Sequence, residues 1–213
     1  MCGIFAILNN KYTETEITKH FTKGRRRGPE NSTLKWENNV VMGFHRLAIN
    51  GLKDSAMQPL QNNNIFLICN GEIYNSKVLH ETLKQKNNSG SDCEIILHLY
   101  KKYGIHDTLK LIDGVFAFII FDFNENVCYA ARDMFGVRPL FVAQKNDVIA
   151  FASTLAPIAN LDWPLKPTPV SPGTLQTYKL TGNKWKQSFK QNYTTLHTPI
   201  RNWDIEEARK QIR

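Results

Sequence analysis

The sequence has 213 residues, 42% hydrophobic and 22% charged, which is typical of a globular protein that buries a substantial core. Its formal net charge is +8. Apart from the cluster KGRRRG at 23–28 the basic residues are scattered, and no nucleic-acid-binding motif accompanies them, so we do not expect nucleic acid as a partner. The four cysteines lack metal-ligand spacing, and the longest apolar run, Val115 to Phe121, is too short to span a bilayer. We predict no metal site, no membrane partner and a cytoplasmic location with reduced thiols.

The first part of the chain contains apolar runs that predict strands. They lie at 3–8, 40–49 and 64–69, with a short helix at 17–21 between the first two. The strand at 64–69 is expected to run into a turn at NGEIYN, residues 70–75.

The middle of the chain favours helices, and the last part returns to strands. Three helices are predicted here. The first covers 76–86, the second starts at a capping box formed by Ser91 and Glu94, and the third covers 105–112. Further strands are predicted as a hairpin over 115–133 and at 138–143, 148–153, 173–180 and 184–189. This grouping indicates an α+β fold, since an α/β fold would alternate strands and helices.

The end of the chain differs in composition from what precedes it. Residues 190–203 are typical of a linker, and DIEEARKQIR at 204–213 favours the start of a helix. We therefore predict one domain at 1–189, followed at 190–213 by a linker and the beginning of a missing C-terminal domain.

The opening MCGIFAIL suggests a nucleophile at the chain end. Removal of Met1 would leave Cys2 with both a thiol and a free α-amino group, whose pKa of about 7.7–8.0 suits a general base. The alternative is that the cysteine follows the initiator methionine by chance and only leads into the strand.

Three other places could complete a site for an amino-acid amide. The Asn70 carboxamide and the Gly71 N–H could form an oxyanion hole, although Asn-Gly is also an ordinary hairpin turn. Arg46, a charge inside an apolar strand, could bind a carboxylate, and Asp92 could meet an ammonium group. Each could instead be structural, Arg46 in an internal ion pair and Asp92 as an acid in the first turn of a helix.

Eight ordered stretches carry a resemblance to a known family. They are MCGI, RRRGPE, GFHRLAI, MQPL, CNGEIYN, GSDCEIILHLY, DGVFAF and ARDMFGVRPLF. On these, the chain resembles the class II glutamine amidotransferases, whose glutaminase domains use an N-terminal nucleophile, and is most similar to the N-terminal half of glutamine-hydrolysing asparagine synthetases. The resemblance implies a four-layer α/β/β/α sandwich of two antiparallel sheets.

The resemblance also implies a role for each matched residue. Cys2 would attack the side-chain amide of L-glutamine, and Asn70 with Gly71 would hold the oxyanion. Ammonia would leave, and water would release glutamate from a Cys2 thioester. Glutamine itself would be bound by Arg46, by backbone groups of Leu47, Ala48, Ile49 and Asn50, and by Glu72 and Asp92 at its α-amino group.

The same resemblance sets expectations about cofactors and partners. It implies no metal or cofactor for this domain, because ATP and Mg belong to a synthetase domain whose Ser-Gly-Gly-x-Asp-Ser loop this sequence lacks. Ammonia would pass to such a domain or to a partner subunit. Two positions depart from the family's RHRGPD, with Arg26 in place of His and Glu30 in place of Asp. Two alternatives stay open: a catalytically silent glutamine-binding or assembly module, and the glutaminase of another amidotransferase.

Overall fold

The computed structural model describes residues 1–159, 167–194, 204, 209 and 210. Within them, strands dominate both ends and two of the three α-helices lie in the middle, as predicted. The helices are α1 (Glu14–Phe21), α2 (Ser76–Leu83) and α3 (Glu94–Leu111), with 3-10 turns at Thr22–Arg27 and Asp54–Ala56. The strands are β1 (Gly3–Leu8), β2 (Asn31–Glu37), β3 (Val40–Arg46), β4 (Leu60–Asn62), β5 (Ile65–Ile73), β6 (Gly114–Asp122), β7 (Val127–Arg132), β8 (Phe141–Lys145), β9 (Val148–Ala152), β10 (Thr168–Pro169), β11 (Thr174–Thr181) and β12 (Lys184–Asn192).

The strands form two six-stranded sheets, and the neighbouring strands pair antiparallel. The first sheet has the order β10-β8-β9-β1-β3-β2, and the second has the order β12-β11-β7-β6-β5-β4. The predicted α+β class with two antiparallel sheets is confirmed. Because β1 lies between β9 and β3, the chain end is held inside a sheet.

Side-chain alternation along β1 shows how the layers stack. Phe5 and Ile7 pack with Ile17 and Phe21 at α1, on the outer face of the first sheet. Ile4, Ala6 and Leu8 point the other way and pack against the second sheet. On the outer face of the second sheet, α3 packs in a third cluster with β5 and β6. The central strands of both sheets are thus covered on both faces, which explains why β1, β6 and β9 are apolar along almost their whole length.

Several local predictions need correction. The predicted turn at NGEIYN is wrong, since β5 runs without interruption through Asn70 and Gly71 to Ile73. The Ser91–Glu94 capping box is also wrong, because the Glu94 carboxylate instead accepts from the N–H groups of Asn88 and Ser89. Edge strand β2 was not predicted.

Other boundaries moved by a few residues. Helix α1 begins three residues earlier than predicted, at a capping box of Thr13 and Glu16. The helix from 94 is broken by Gly104, whose φ of 77° separates the two predicted helices. Strand β12 continues to Asn192, past the predicted domain end at 189. The rest of the predicted linker and final helix lies almost entirely outside the described residues. No helix in the described part of the chain is both long and apolar enough to cross a membrane.

Candidate active site

A cleft opens where β1, β3 and β5 come together across the two sheets. It brings together every residue that the sequence singled out for the site. These residues are Cys2, Arg46, Leu47, Ala48, Ile49, Asn50, Asn70, Gly71, Glu72 and Asp92.

The Cys2 thiol lies against the backbone of Leu47. The sulfur donates to Leu47 O at 3.4 Å and accepts from Leu47 N at 3.5 Å. Burial raises the pKa of this thiol, and the Leu47 N–H and the Arg27 charge offset that only in part. The thiol is therefore protonated at neutral pH and needs a base before it can act as a nucleophile.

Asn70 points from β5 towards Cys2, between the two sheets. With its amide oriented so that both polar atoms are bonded, Nδ2 donates to Cys2 O at 3.1 Å and Oδ1 accepts from Arg27 Nη2 at 3.1 Å. Arg27 Nε also donates to Cys2 O at 3.2 Å. The nucleophile's carbonyl is thus held by two donors from different parts of the chain.

Sequence reasoning missed Arg27 as a site residue, although it lies in the RRRG cluster. It can cross β1 because Gly3 has no side chain: a Cβ there would lie 2.9 Å from Arg27 Cβ. Gly3, directly after Cys2, was the one signal in the sequence that another side chain crosses β1 at this point.

Gly71 aims its N–H at the cleft from within a strand. Its register partner on β6 is Phe116, whose N–H and C=O both bond to Asp133 on the far side. Because neighbouring antiparallel strands alternate bonded and non-bonded pairs, Gly71 directs its backbone groups away from β6. The backbone N–H and C=O of Cys69, two residues earlier, point the same way and bond to the Gln58 side chain. The Gly71 N–H is therefore free of β6, as an oxyanion donor would need, although it belongs to a strand and not to the predicted turn.

Arg46 is buried at the end of β3 and reaches the loop that follows. Its Nη2 donates to Gly51 O at 2.5 Å and Lys53 O at 3.1 Å, and its Nη1 lies 3.9 Å from the exposed Asp54 carboxylate. The guanidinium therefore shapes the loop and keeps one edge near the cleft.

Asp92 lines the same cleft as Arg46. Its Oδ2 accepts from Ile73 N at 2.6 Å. Burial raises the pKa of Asp92, and the nearby Glu72 charge raises it further, against the opposing effect of the Ile73 N–H. The cleft thus presents one cation, Arg46, and two carboxyl groups, Glu72 and Asp92, which are the charges that an amino acid's α-carboxylate and α-ammonium would need.

Comparison with known proteins identifies the family. The family described as "Glutamine amidotransferase domain" matches residues 1–201. The chain belongs to this family. Asparagine synthetase [glutamine-hydrolyzing] of Mesocricetus auratus is 36% identical over 198 residues, covering 86% of this chain and 34% of that protein. Asparagine synthetase [glutamine-hydrolyzing] 2 of Arabidopsis thaliana is 36% identical over 168 residues, covering 75% and 29%. The chain spans about a third of the length of these curated relatives.

Solved structures share the fold of this glutamine amidotransferase domain. Glutamine phosphoribosylpyrophosphate (PRPP) amidotransferase from B. subtilis has a TM-score of 0.75 at 21% identity, covering 91% of this chain and 50% of that one. A structure titled "allosteric regulatory enzyme of purine biosynthesis" has a TM-score of 0.76, also at 21% identity. The predictions of a glutamine amidotransferase enzyme and of a sandwich fold are therefore confirmed.

Glu30, one of the two departures from the family's motif, bonds to the backbone of the segment 46–48 that lines the cleft. Its Oε2 accepts from Ala48 N at 3.1 Å, and its own N–H donates to Arg46 O at 3.2 Å. The longer carboxyl side chain therefore anchors the loop after β3. Arg26, the other departure, is exposed on the 3-10 turn and does not line the cleft.

Residues of the RDMFGVRPL segment, 132–140, stabilise the fold. The buried Asp133 carboxylate accepts from four backbone N–H groups, those of Phe116, Phe135, Val137 and Arg138. Arg132 donates to three carbonyls of the surrounding loops. Arg138 lies at the mouth of the cleft and contacts the sulfur of Met1.

Proposed function

We propose that this domain hydrolyses the side-chain amide of L-glutamine through a thioester on Cys2. The observation that carries the proposal is the meeting of three chemistries in one cleft: the Cys2 thiol, the Asn70 and Gly71 donors, and the opposed charges of Arg46 and Asp92. Thiol, oxyanion donors and charge pair are what acyl transfer from an amino-acid amide needs.

Activation of Cys2 begins with the removal of Met1. Met1 lines the cleft beside Cys2 and ties up the Cys2 nitrogen in a peptide bond. Once it is removed, the α-amino group is a neutral base for part of the time at neutral pH, because its reference pKa is about 7.7–8.0. This amine can take the proton of the Cys2 thiol, which stays protonated at neutral pH because burial raises its pKa. The nucleophile and its base then belong to one residue.

Glutamine would be oriented by charge. Its α-carboxylate would take the free edge of the Arg46 guanidinium in competition with the solvent-exposed Asp54, and its α-ammonium would lie between Glu72 and Asp92. The side-chain amide then extends towards Cys2. Holding both groups on the α-carbon fixes the direction of the side chain and leaves the amide carbon few positions, which is how binding energy is used for orientation.

The reaction would proceed in two acyl-transfer steps. The sulfur attacks the amide carbon, and the negative oxygen that forms accepts from Asn70 Nδ2 and the Gly71 N–H. Collapse of this intermediate breaks the C–N bond, and the nitrogen leaves as ammonia with the proton taken from the thiol. Water then attacks the thioester and releases glutamate, regenerating the thiol.

The ammonia would serve asparagine synthesis in a synthetase domain or partner subunit. The relatives named asparagine synthetase support this, and they are about three times as long as the matched region. ATP and Mg would act in that second domain, and no cofactor is proposed for this one. The boundary at 189 and a cytoplasmic location stay predictions.

Intact-mass analysis with a glutamine analogue carrying a reactive diazoketone in place of the amide tests the proposal. We expect a mass that lacks Met1 and carries one adduct, mapped to Cys2. Cys2→Ala should remain unlabelled, whereas Cys128→Ala, which removes a buried cysteine away from the cleft, should label like the parent. Retained methionine without an adduct would contradict the proposal.

A further inference from the structure

The side chain of Gln58 lies beside the oxyanion donors, and the proposed reaction gives it no role. It is buried and lines the cleft that contains Cys2. Its Oε1 accepts from Cys69 N at 2.6 Å, and its Nε2 donates to Cys69 O at 3.1 Å. One side-chain amide thus satisfies both backbone groups of the residue that precedes Asn70.

The register of β4 on β5 shows what these two hydrogen bonds replace. The two strands pair antiparallel, with Leu60 opposite Leu67. Two positions further in this register, Gln58 would lie opposite Cys69, but β4 begins only at Leu60. The backbone has already left the sheet at that point. The side chain of Gln58 therefore makes the two bonds that the backbone of a neighbouring strand would otherwise make.

The same register explains why the next donor along β5 stays open. Gly71 follows Cys69 by two residues, so the backbone groups of both residues point to the same edge of the strand. If β4 continued, Ala56 would lie opposite Gly71 and would bond to it. Ala56 instead ends a 3-10 turn. The edge of β5 is thus closed at Cys69 and open one pair later, at the Gly71 N–H.

We propose that Gln58 is a positioning residue for glutamine hydrolysis, because its amide closes the edge of β5 at Cys69 and so fixes the strand where Asn70 and Gly71 present their donors. The effect on turnover rests on the proposed function, whereas the two hydrogen bonds stand without it. Gln58 acts through the backbone of β5, and we assign it no bond to the substrate.

Loss of the Gln58 amide would leave the backbone N–H and C=O of Cys69 without partners at a buried position. Buried backbone groups in this state must find other partners or move towards water. Water can reach them from the cleft, which Cys69 lines, so β5 would relax towards the side on which the donors act. Misplacement of reacting groups by about 1 Å commonly costs about 100-fold in turnover.

The test measures kcat and KM for glutamine in the full chain and in matched variants. Gln58→Met keeps an unbranched side chain of similar volume and removes both hydrogen bonds. We expect its kcat to fall by about 100-fold and its KM to change much less. Gln176→Met is the control, because Gln176 is equally buried, accepts from the Tyr178 hydroxyl and does not line the cleft. It should melt at a lower temperature and keep the kcat of the parent.

Gln58→Glu adds a pH readout that a general loss of stability would not produce in folded protein. When protonated, the new carboxyl can accept from Cys69 N and donate to Cys69 O, as the amide does. When ionised, it can only accept, and one of its oxygens then faces Cys69 O. Since burial favours the neutral form, kcat relative to the parent at the same pH should be close to one in acid and fall by about 100-fold as the pH rises.

Four results would overturn the proposal. They are parent-like kcat in folded Gln58→Met, a change in KM alone, an equal loss of kcat in Gln176→Met, and a Gln58→Glu variant whose kcat relative to the parent does not depend on pH. The last result decides the case if Gln58→Met does not fold.

A parent chain that hydrolyses no glutamine would contradict the proposed function instead. Amide hydrogen exchange, followed by NMR, then decides the positioning role of Gln58. We expect the Cys69 N–H to exchange more slowly than the Gly71 N–H in the parent, and Gln58→Met to remove the difference. Equal exchange rates in the parent would overturn the proposal.

Discussion

Gly71→Ala is the sharpest test of the oxyanion donor, because the structure fixes what a methyl group there would meet. An added Cβ would lie 2.8 Å from Phe116 Cβ, 2.8 Å from Val115 O and 2.9 Å from Phe116 Cα. Two of these contacts are with backbone atoms of β6, so no side-chain rotation relieves them. Strand β5 must move away from β6 by about half an ångström or more to restore ordinary van der Waals separation.

The same displacement acts on stability and on turnover. Overpacking of this kind costs about 1–3 kcal/mol of unfolding free energy, which lowers the melting temperature by roughly 2–12 °C in a domain of this size. The Gly71 N–H moves with the strand, and loss of one oxyanion donor costs about 100-fold to 1,000-fold in kcat. We expect KM for glutamine to change less than kcat, because Arg46, which would hold the α-carboxylate, lies on β3.

Gly182→Ala is the matched control. Gly182 lies in the turn between β11 and β12 with a φ of 61° and open space where a Cβ would point. Alanine there costs about 1–2 kcal/mol of stability through backbone strain. Thermal unfolding and steady-state ammonia release, measured on both variants, separate the two effects. Wild-type kcat in folded Gly71→Ala, or an equal loss in Gly182→Ala, would refute the reasoning.

Three further predictions test other parts of the site. Asn70→Ala should lower kcat by about 100-fold to 1,000-fold with little change in KM, and a pure KM effect would contradict its role at the oxyanion. Since burial raises the pKa of Asp92, its negative charge is lost at a higher pH than for an ordinary aspartate as the solution is acidified. KM for glutamine should therefore rise as pH falls through that raised pKa, and Asp92→Asn should have a high KM that no longer depends on pH in this range. Asp133→Ala should lower the unfolding free energy in urea by about 1–3 kcal/mol or more, because it leaves the buried N–H of Phe116 and three partly buried N–H groups without their acceptor; a loss below about 1 kcal/mol would show that water replaces the carboxylate.

The sequence predicted the fold class because apolar runs and helical periodicity reflect which faces are buried. It failed on β2, an edge strand whose residues are mostly exposed or half-buried and therefore carry little apolar signal. It also failed on the Asn70-Gly71 dipeptide, since the residues of a hairpin turn and those of a strand in close contact with its neighbour are alike in the sequence. Only the pairing of Gly71 with Phe116 distinguishes the two.

The site residues were predictable where a motif was complete and local. Arg27 was not, because its role comes from crossing β1 in space and bonding to Cys2 O and Asn70, which are distant from it in sequence or on another sheet. The hydrogen bond that Glu30 accepts from Ala48 N was not predictable either, because it depends on the conformation of a loop that no periodicity describes.

The central position of β1 ties the timing of activity to the folding of the chain. One neighbour of β1 is β9, and Ile4 N donates to the side chain of Ser153, a residue 149 positions further along. On the ribosome, β1 therefore waits for one of its partners until most of this domain has been made. Such long-range pairing forms slowly, so β1, although it precedes the other strands of the domain, is among the last to be secured. A nascent chain should thus consume no glutamine until the domain that uses its thiol is nearly complete.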